Sequence, residues 1–213
     1  LGTQELPEVL KTTPGVWATK DGGGFGDAKI NMRGFQSANV AVLVNGIPVN
    51  DMEGGWVYWS NWAGLGDVAS SIQTQRGLGA AILSAPSIGG TINITTRSLD
   101  AKRGGSIYYG FGNDGLNNIG MNVSTGLMKN GWAITLQGAR RWGDGYVQGT
   151  DFNSYSYFLN ISKRINDRHQ LSLTAFGAPQ NHNKRSSQDG LTIMEYQTYA
   201  KRVMDSDSPY KYN

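Results

Sequence analysis

The segment Ile119-Gly120-Met121-Asn122-Val123-Ser124-Thr125-Gly126-Leu127 places Ile119, Met121, Val123, Thr125 and Leu127 on one side and Gly120, Asn122, Ser124 and Gly126 on the other. A repeat of two belongs to an extended strand, so this stretch reads as a β-strand with one apolar face. The same texture recurs on both sides of it. Ile107, Tyr109 and Phe111 alternate with Ser106, Tyr108 and Gly110, and Trp132, Ile134 and Leu136 with Ala133, Thr135 and Gln137. Further on, Tyr155, Tyr157, Leu159 and Ile161 alternate with Ser154, Ser156, Asn160 and Ser162, and Leu171, Leu173 and Ala175 with Gln170, Ser172 and Thr174. Ionised side chains gather in the turns: from Gly105 to Met128 the only charge is Asp114.

A soluble antiparallel sheet shares this alternation, but its wet face usually carries Lys, Glu and Arg. Here the second face is Ser, Thr, Asn and Gly. That chemistry suits the lumen side of a strand crossing hydrocarbon, which needs about 9 to 11 residues and aromatics near its ends. Short connections at Lys129-Asn130 and Asn166-Asp167-Arg168 contrast with long polar ones from about Arg141 to Phe152 and from Pro179 onward. Outer-membrane barrels have short periplasmic turns and long outer loops, so a first strand rising from the periplasmic side puts both long connections outside.

Composition agrees. No apolar run approaches the roughly 20 residues of a transmembrane helix, so membrane residence requires a barrel. Thirty glycines against six prolines in 213 residues point to many tight turns. The absence of cysteine excludes disulfides and thiolate metal sites. A net charge of +3, spread over short clusters, argues against a nucleic-acid partner. The start at Leu1, with neither Met nor leader pattern, leads to the expectation of a mature or truncated beginning.

Residues 1–98 differ in texture. Glu5 to Lys11 reads as a short helix with Leu6, Val9 and Leu10 on one face, stopped by Thr12-Thr13-Pro14-Gly15. Short strands are expected at Lys29 to Arg33, Val40 to Val44, Ile47 to Val49, Ser71 to Arg76 and Thr91 to Thr95, with Asn45-Gly46 as a hairpin turn.

In detail this part resembles the plug of TonB-dependent outer-membrane receptors. Five pieces in chain order carry the resemblance: Leu6-Pro7-Glu8-Val9-Leu10 with Thr13-Pro14-Gly15-Val16; Ile30-Asn31-Met32-Arg33-Gly34-Phe35; Val42-Leu43-Val44-Asn45-Gly46-Ile47-Pro48; Ile72-Gln73-Thr74-Gln75-Arg76-Gly77; and Ile88-Gly89-Gly90-Thr91-Ile92-Asn93-Ile94-Thr95-Thr96. Asn45 departs from a frequent Asp, and Leu83-Ser84 from a Tyr-Gly-like pair. The resemblance implies a mixed α/β plug domain (1–98) inside a transmembrane antiparallel β-barrel of about 22 strands. Residues 99–213 are then the first five or so strands with a partial extracellular loop. Five strands cannot close such a barrel, and each unsatisfied backbone group at a lipid-exposed edge costs several kcal/mol. The expectation is therefore a portion of a longer protein.

By the same resemblance the function is energy-coupled import of a scarce nutrient across the outer membrane, with no catalysis, no metal and no cofactor. Implied partners are TonB, through an N-terminal box not found before Leu1, outer-membrane lipid, a small extracellular ligand (siderophore, vitamin, oligosaccharide or peptide), and a surface lipoprotein. A non-transporting β-rich surface binding or adhesion protein is the competing class, and it should lack the five pieces. Arg33 resembles a plug arginine that pairs with acidic groups of the barrel wall. Gly34, Asn45, Gly46, Gly89 and Gly90 are the expected structural and gating positions: Asn45-Gly46 supplies positive φ at both central turn residues, and Gly89-Gly90 lets backbone approach where a Cβ would obstruct.

The stretch Asn50 to Gly64 holds Asp51, Glu53, Trp56, Tyr58, Trp59 and Trp62. Flat aromatic faces beside carboxylates suit a sugar, peptide or chelate in the extracellular cavity. Equally, tryptophans three apart suit one packed face of a helical turn. Asp51 and Glu53 as a glycosidase pair, and Gly22 to Asp27 as a phosphate loop, are both disfavoured, the second because it lacks the Lys-Ser/Thr pair and leads into no helix. His169 and His182 have no partner at metal-ligand spacing.

Overall fold

The computed structural model describes residues 5–20, 28–76, 87–145 and 150–183. A single helical turn, α1 (Leu6–Leu10), opens the chain, and its start is closed by reciprocal bonds between Glu5 and Glu8. It is shorter than the expected span, because the Thr-Thr-Pro-Gly breaker begins to unwind it at Lys11. A two-stranded ribbon follows, of β1 (Val16–Lys20) against β2 (Ala28–Met32).

Beside it lies a small four-stranded sheet in the order β4 (Ile47–Pro48), β3 (Val40–Val44), β6 (Gly90–Thr96), β5 (Ala69–Arg76). The pair β3 and β6 is parallel, while β4–β3 and β5–β6 are antiparallel. The near-continuous apolar run Val40 to Val44 is what a strand covered on both faces requires. A 3-10 turn (Trp59–Trp62) and α2 (Leu65–Val68) cross over from β4 to β5. One core joins these pieces, centred on Leu10, Met32, Val40, Trp59, Leu65, Ile92 and Ile94.

The second sheet is a strictly sequential antiparallel meander: β7 (Gly104–Phe111), β8 (Asn117–Ser124), β9 (Trp132–Gly143), β10 (Phe152–Arg164) and β11 (Gln170–Gly177). A short β12 (Gln180–His182) continues past β11 along the same edge of β10. Alternation governs which side chains are covered. On β9 and β10 the buried positions include Ala133, Thr135, Gln137, Phe152, Ser154, Ser156, Phe158, Asn160 and Ser162, all on one face, and from it Phe158 enters the core of the small sheet and Ser162 reaches Ser98. On the opposite face Ile107, Tyr109, Phe111, Met121, Val123, Leu136, Tyr157, Leu171 and Leu173 stand exposed. An exposed apolar face of this extent is what lipid covers.

Three expectations change. The strand read through Leu127 stops at Ser124, because Gly126 turns the chain with φ of 63°, so Thr125, Gly126 and Leu127 lie outside it. The connection expected from Arg141 begins only after Gly143, because the period of two runs on through Arg140, Arg141 and Trp142. Val16–Lys20, which had no assignment, is a strand because its backbone pairs with β2, a partner that local sequence does not reveal. The glycine-rich stretch Gly22 to Asp27 lies outside the described residues. Among the described residues no helix is long and apolar enough to cross a membrane, which says nothing of strands.

Candidate functional site

Where the small sheet meets the inner face of the meander, polar side chains from both sides converge. The Tyr108 hydroxyl on β7 donates to Asp67 of α2 at 2.6 Å. Arg141 on β9 pairs with Glu5 at 2.7 Å, each about one-sixth exposed. The hydroxyls of Ser98 and Ser162 lie 2.8 Å apart, and the Gln180 amide donates to Asn61 at 3.4 Å. Apolar contacts are few and specific: Phe158 of β10 is buried within the small sheet's core, and Phe176 of β11 stacks on Trp62 with ring centres 5.6 Å apart. A cleft bounded by Glu5, Trp62, Asp67, Tyr108, Arg141 and Ser156 runs along this seam. Burial there holds the Asp67 carboxyl above its ordinary range, an effect that the hydrogen bond from Tyr108 opposes.

The hairpin at Asn45 and Gly46 has φ of 53° and 81°, the positive pair that its turn demands. Asn45 also closes the end of the sheet. Its amide donates to Thr96 Oγ1 at 2.9 Å, and its oxygen accepts the Thr96 N–H at 2.8 Å. An Asp at this position would lose the donated bond. At the other end of β3 and β6, Gly89 donates its N–H to Asn39, and a Cβ there would come within 2.8 Å of Phe35 and 3.0 Å of the Asn39 carbonyl. Arg33 and Gly34 form the turn after β2, with φ of 53° and 85°. The Arg33 N–H donates to the Gly15 carbonyl, and among the described residues no carboxylate pairs with its side chain.

The aromatic stretch divides. Asp51 organises its own loop by accepting N–H bonds from Glu53, Gly54 and Trp56 at 2.6 to 2.9 Å. Those bonds, that from Gly54 foremost, hold its carboxyl below the usual range. Trp59 is 5% exposed in the core and Trp62 packs on Phe176. Trp56 and Tyr58 are 40% and 53% exposed, and Glu53 is exposed as well. The loop sits by the start of β3, since Asn50 bonds Val42 N–H and the Val40 carbonyl. That end is opposite the Asn45-Gly46 hairpin.

Residues 1–91 match the sequence profile described as the TonB-dependent Receptor Plug Domain. Residues 1–91 are thus a plug domain, and the matches together support a TonB-dependent outer-membrane receptor. It is 27% identical over 171 residues to the vitamin B12 transporter BtuB of Vibrio vulnificus, covering 77% of this chain and 28% of that protein. Among solved structures it superimposes on the copper transporter OprC with a TM-score of 0.66 at 14% identity, over 84% of this chain and 28% of that one. For the FrpB iron transporter of Neisseria meningitidis the TM-score is 0.64 at 18% identity, over 82% and 29%. The chain thus spans about three-tenths of the length of these relatives. The small sheet with its ribbon and helices has the plug fold, and β7 to β11 are the first strands of a receptor barrel wall.

Several residues of this receptor's seam carry no mark in the sequence reading. Tyr108 with Asp67 and Arg141 with Glu5 join segments far apart in the chain, so only the assembled wall brings them together. Phe158 did leave a trace: it is an aromatic in the inward register of β10, amid Ser154, Ser156, Asn160 and Ser162. Its ring is taken up by the plug's core, which is what covers a large apolar group on this otherwise polar stretch.

Proposed function

We propose that the complete receptor imports a scarce nutrient ligand across the outer membrane, with the plug gating the barrel and TonB delivering the energy of the proton gradient. The observation that carries this reading is the seam. A plug meant only to seal a barrel would be held by a continuous apolar core, whereas here separate polar contacts, among them Tyr108 with Asp67, Arg141 with Glu5 and Ser98 with Ser162, stand beside the apolar anchors Phe158 and Phe176. A neutral bond of this kind contributes only about 1 kcal/mol net and one to a charged group about 1.5 to 3, so the plug can break them one at a time when pulled. The relatives' names span vitamin B12, copper and iron cargo, so they do not choose among siderophore, vitamin, oligosaccharide and peptide for this receptor. The exposed Trp56, Tyr58 and Glu53 at the end of the plug away from the hairpin supply stacking faces and an acceptor for such a ligand.

The test is accumulation in cells carrying the full-length receptor, offered labelled cobalamin, a ferric siderophore, a maltodextrin and an oligopeptide in turn. One of these should accumulate inside, and accumulation should stop when TonB is deleted or the proton gradient is collapsed. Surface binding without accumulation would favour the adhesion or binding class instead.

A further inference from the structure

The lipid-facing surface of β9 and β10 carries cations only at its two borders. Between Trp132 and Arg140 the outward positions are Ile134, Leu136 and Gly138 on β9, opposite Ile161, Leu159 and Tyr157 on β10. Eight residues at ~3.4 Å each, tilted by about 40°, span roughly 20 Å, close to the height of a barrel's apolar band. Lys163 therefore marks one border and Arg140 the other. The two differ in what their donors meet. The Lys163 ammonium lies 5.0 Å from the centre of the Trp132 ring and donates to the Asn130 carbonyl, so it is anchored by its own turn. Arg140 lies on the side of the connection between β9 and β10, residues 144–151, the side that a first strand rising from the periplasm puts at the outer leaflet. Its Nε donates to Asn153 at 3.0 Å, and its guanidinium rests 4.6 Å from the Trp142 ring centre and 5.3 Å from that of Tyr155. Two aromatic faces and one amide thus fix the plane of the guanidinium while its terminal N–H groups point to no carboxylate among the described residues.

We propose that Arg140, framed by Trp142, Tyr155 and Asn153, binds the phosphate of a phosphorylated lipid headgroup in the outer leaflet. A held, planar fork with free donors matches two phosphate oxygens at once, and the apolar belt below it receives the acyl chains. Charge complementarity selects this occupant: a guanidinium at a hydrocarbon border is stabilised by an anionic headgroup and by little else that lipid offers. The site lies on the outside of the barrel, so it stands whether or not the receptor imports.

The experiment uses the full-length receptor in detergent, with bound lipid counted by native mass spectrometry during titration with diphosphorylated lipid A, dephosphorylated lipid A or inorganic phosphate. Native protein should retain the phosphorylated lipid and lose it about fivefold more readily as Arg140→Gln, the loss expected for one cation near a membrane surface. Arg140→Lys should recover part of the retention, and heat-modifiable migration confirms that each variant is folded. Equal retention of both lipids, or no change in a folded Arg140→Gln, would overturn the proposal. Complete displacement of lipid by millimolar inorganic phosphate would also overturn it, leaving a simple anion site.

Discussion

Gly64→Val is expected to unseat the plug from the barrel wall. Gly64 opens α2 with φ of 81°, and a Cβ built on it falls 2.3 Å from Ser156 Oγ and 2.6 Å from Ser156 Cβ. Neither partner can retreat cheaply. Ser156 belongs to β10, paired on one side with β9 and on the other with β11 and β12, and Gly64 is fixed between two core residues, Trp59 and Leu65. A β-branched residue at positive φ costs about 1 to 3 kcal/mol, and forcing extra volume into a packed contact costs a similar amount. Together these exceed any one polar contact of the seam. In outer-membrane vesicles holding the full-length receptor, the native plug should resist added protease and the Gly64→Val plug should be cut. Adding Ser156→Gly should recover part of the protection, because it removes the overlap and leaves the backbone strain. Protection equal to the native protein in the single variant would show that the plug does not rest on β10 at this point.

The second large effect separates two tryptophans that look equivalent in the sequence. Trp59 is almost fully buried among the core residues, so Trp59→Ala is expected to cost about 3 to 5 kcal/mol of stability. Ligand affinity of the fraction that folds should be unchanged. Trp56 lies 40% exposed on a loop already organised by the Asp51 carboxylate. Trp56→Ala should change stability by no more than about 0.5 kcal/mol, yet lower ligand affinity of the complete receptor about tenfold if the indole stacks on the cargo. Thermal unfolding and ligand titration on the same preparations give both numbers. Loss of affinity at Trp59 with stability intact would reverse the assignment.

A spacing of three between tryptophans suggests one helical face, but the turn built on Asp51 closes on Trp56, whose N–H and carbonyl both bond Asp51, and the 3-10 turn begins only at Trp59. Two of the three therefore pack and one does not. The barrel strands were legible because lipid on one side and a polar interior on the other impose a repeat of two, visible from Ile119 to Ser124, although the same alternation carried on past the strand's end to Leu127. The end of β9 was not, since Arg140-Arg141 looks like the charge of a loop. In fact one arginine faces each way, Arg140 toward the membrane border and Arg141 toward Glu5. The five plug pieces were legible because each fixes a local backbone feature, as at Asn45 and Gly89. The seam was not, because Tyr108 with Asp67 and Ser98 with Ser162 depend on a docking that no local pattern encodes.

That docking is open to one direct measurement. The chain contains no cysteine, so Ser98→Cys with Ser162→Cys introduces the only thiol pair into these residues. The native hydroxyls stand 2.8 Å apart, which brings the two side chains within the reach of a disulfide, whose Cβ atoms lie about 3.8 Å apart. In the full-length receptor under mild oxidation, peptide mapping should find residues 98 and 162 joined in nearly every molecule, with the barrel still heat-modifiable. Two thiols that both remain free to react with a maleimide in a folded barrel would contradict a plug seated on this wall.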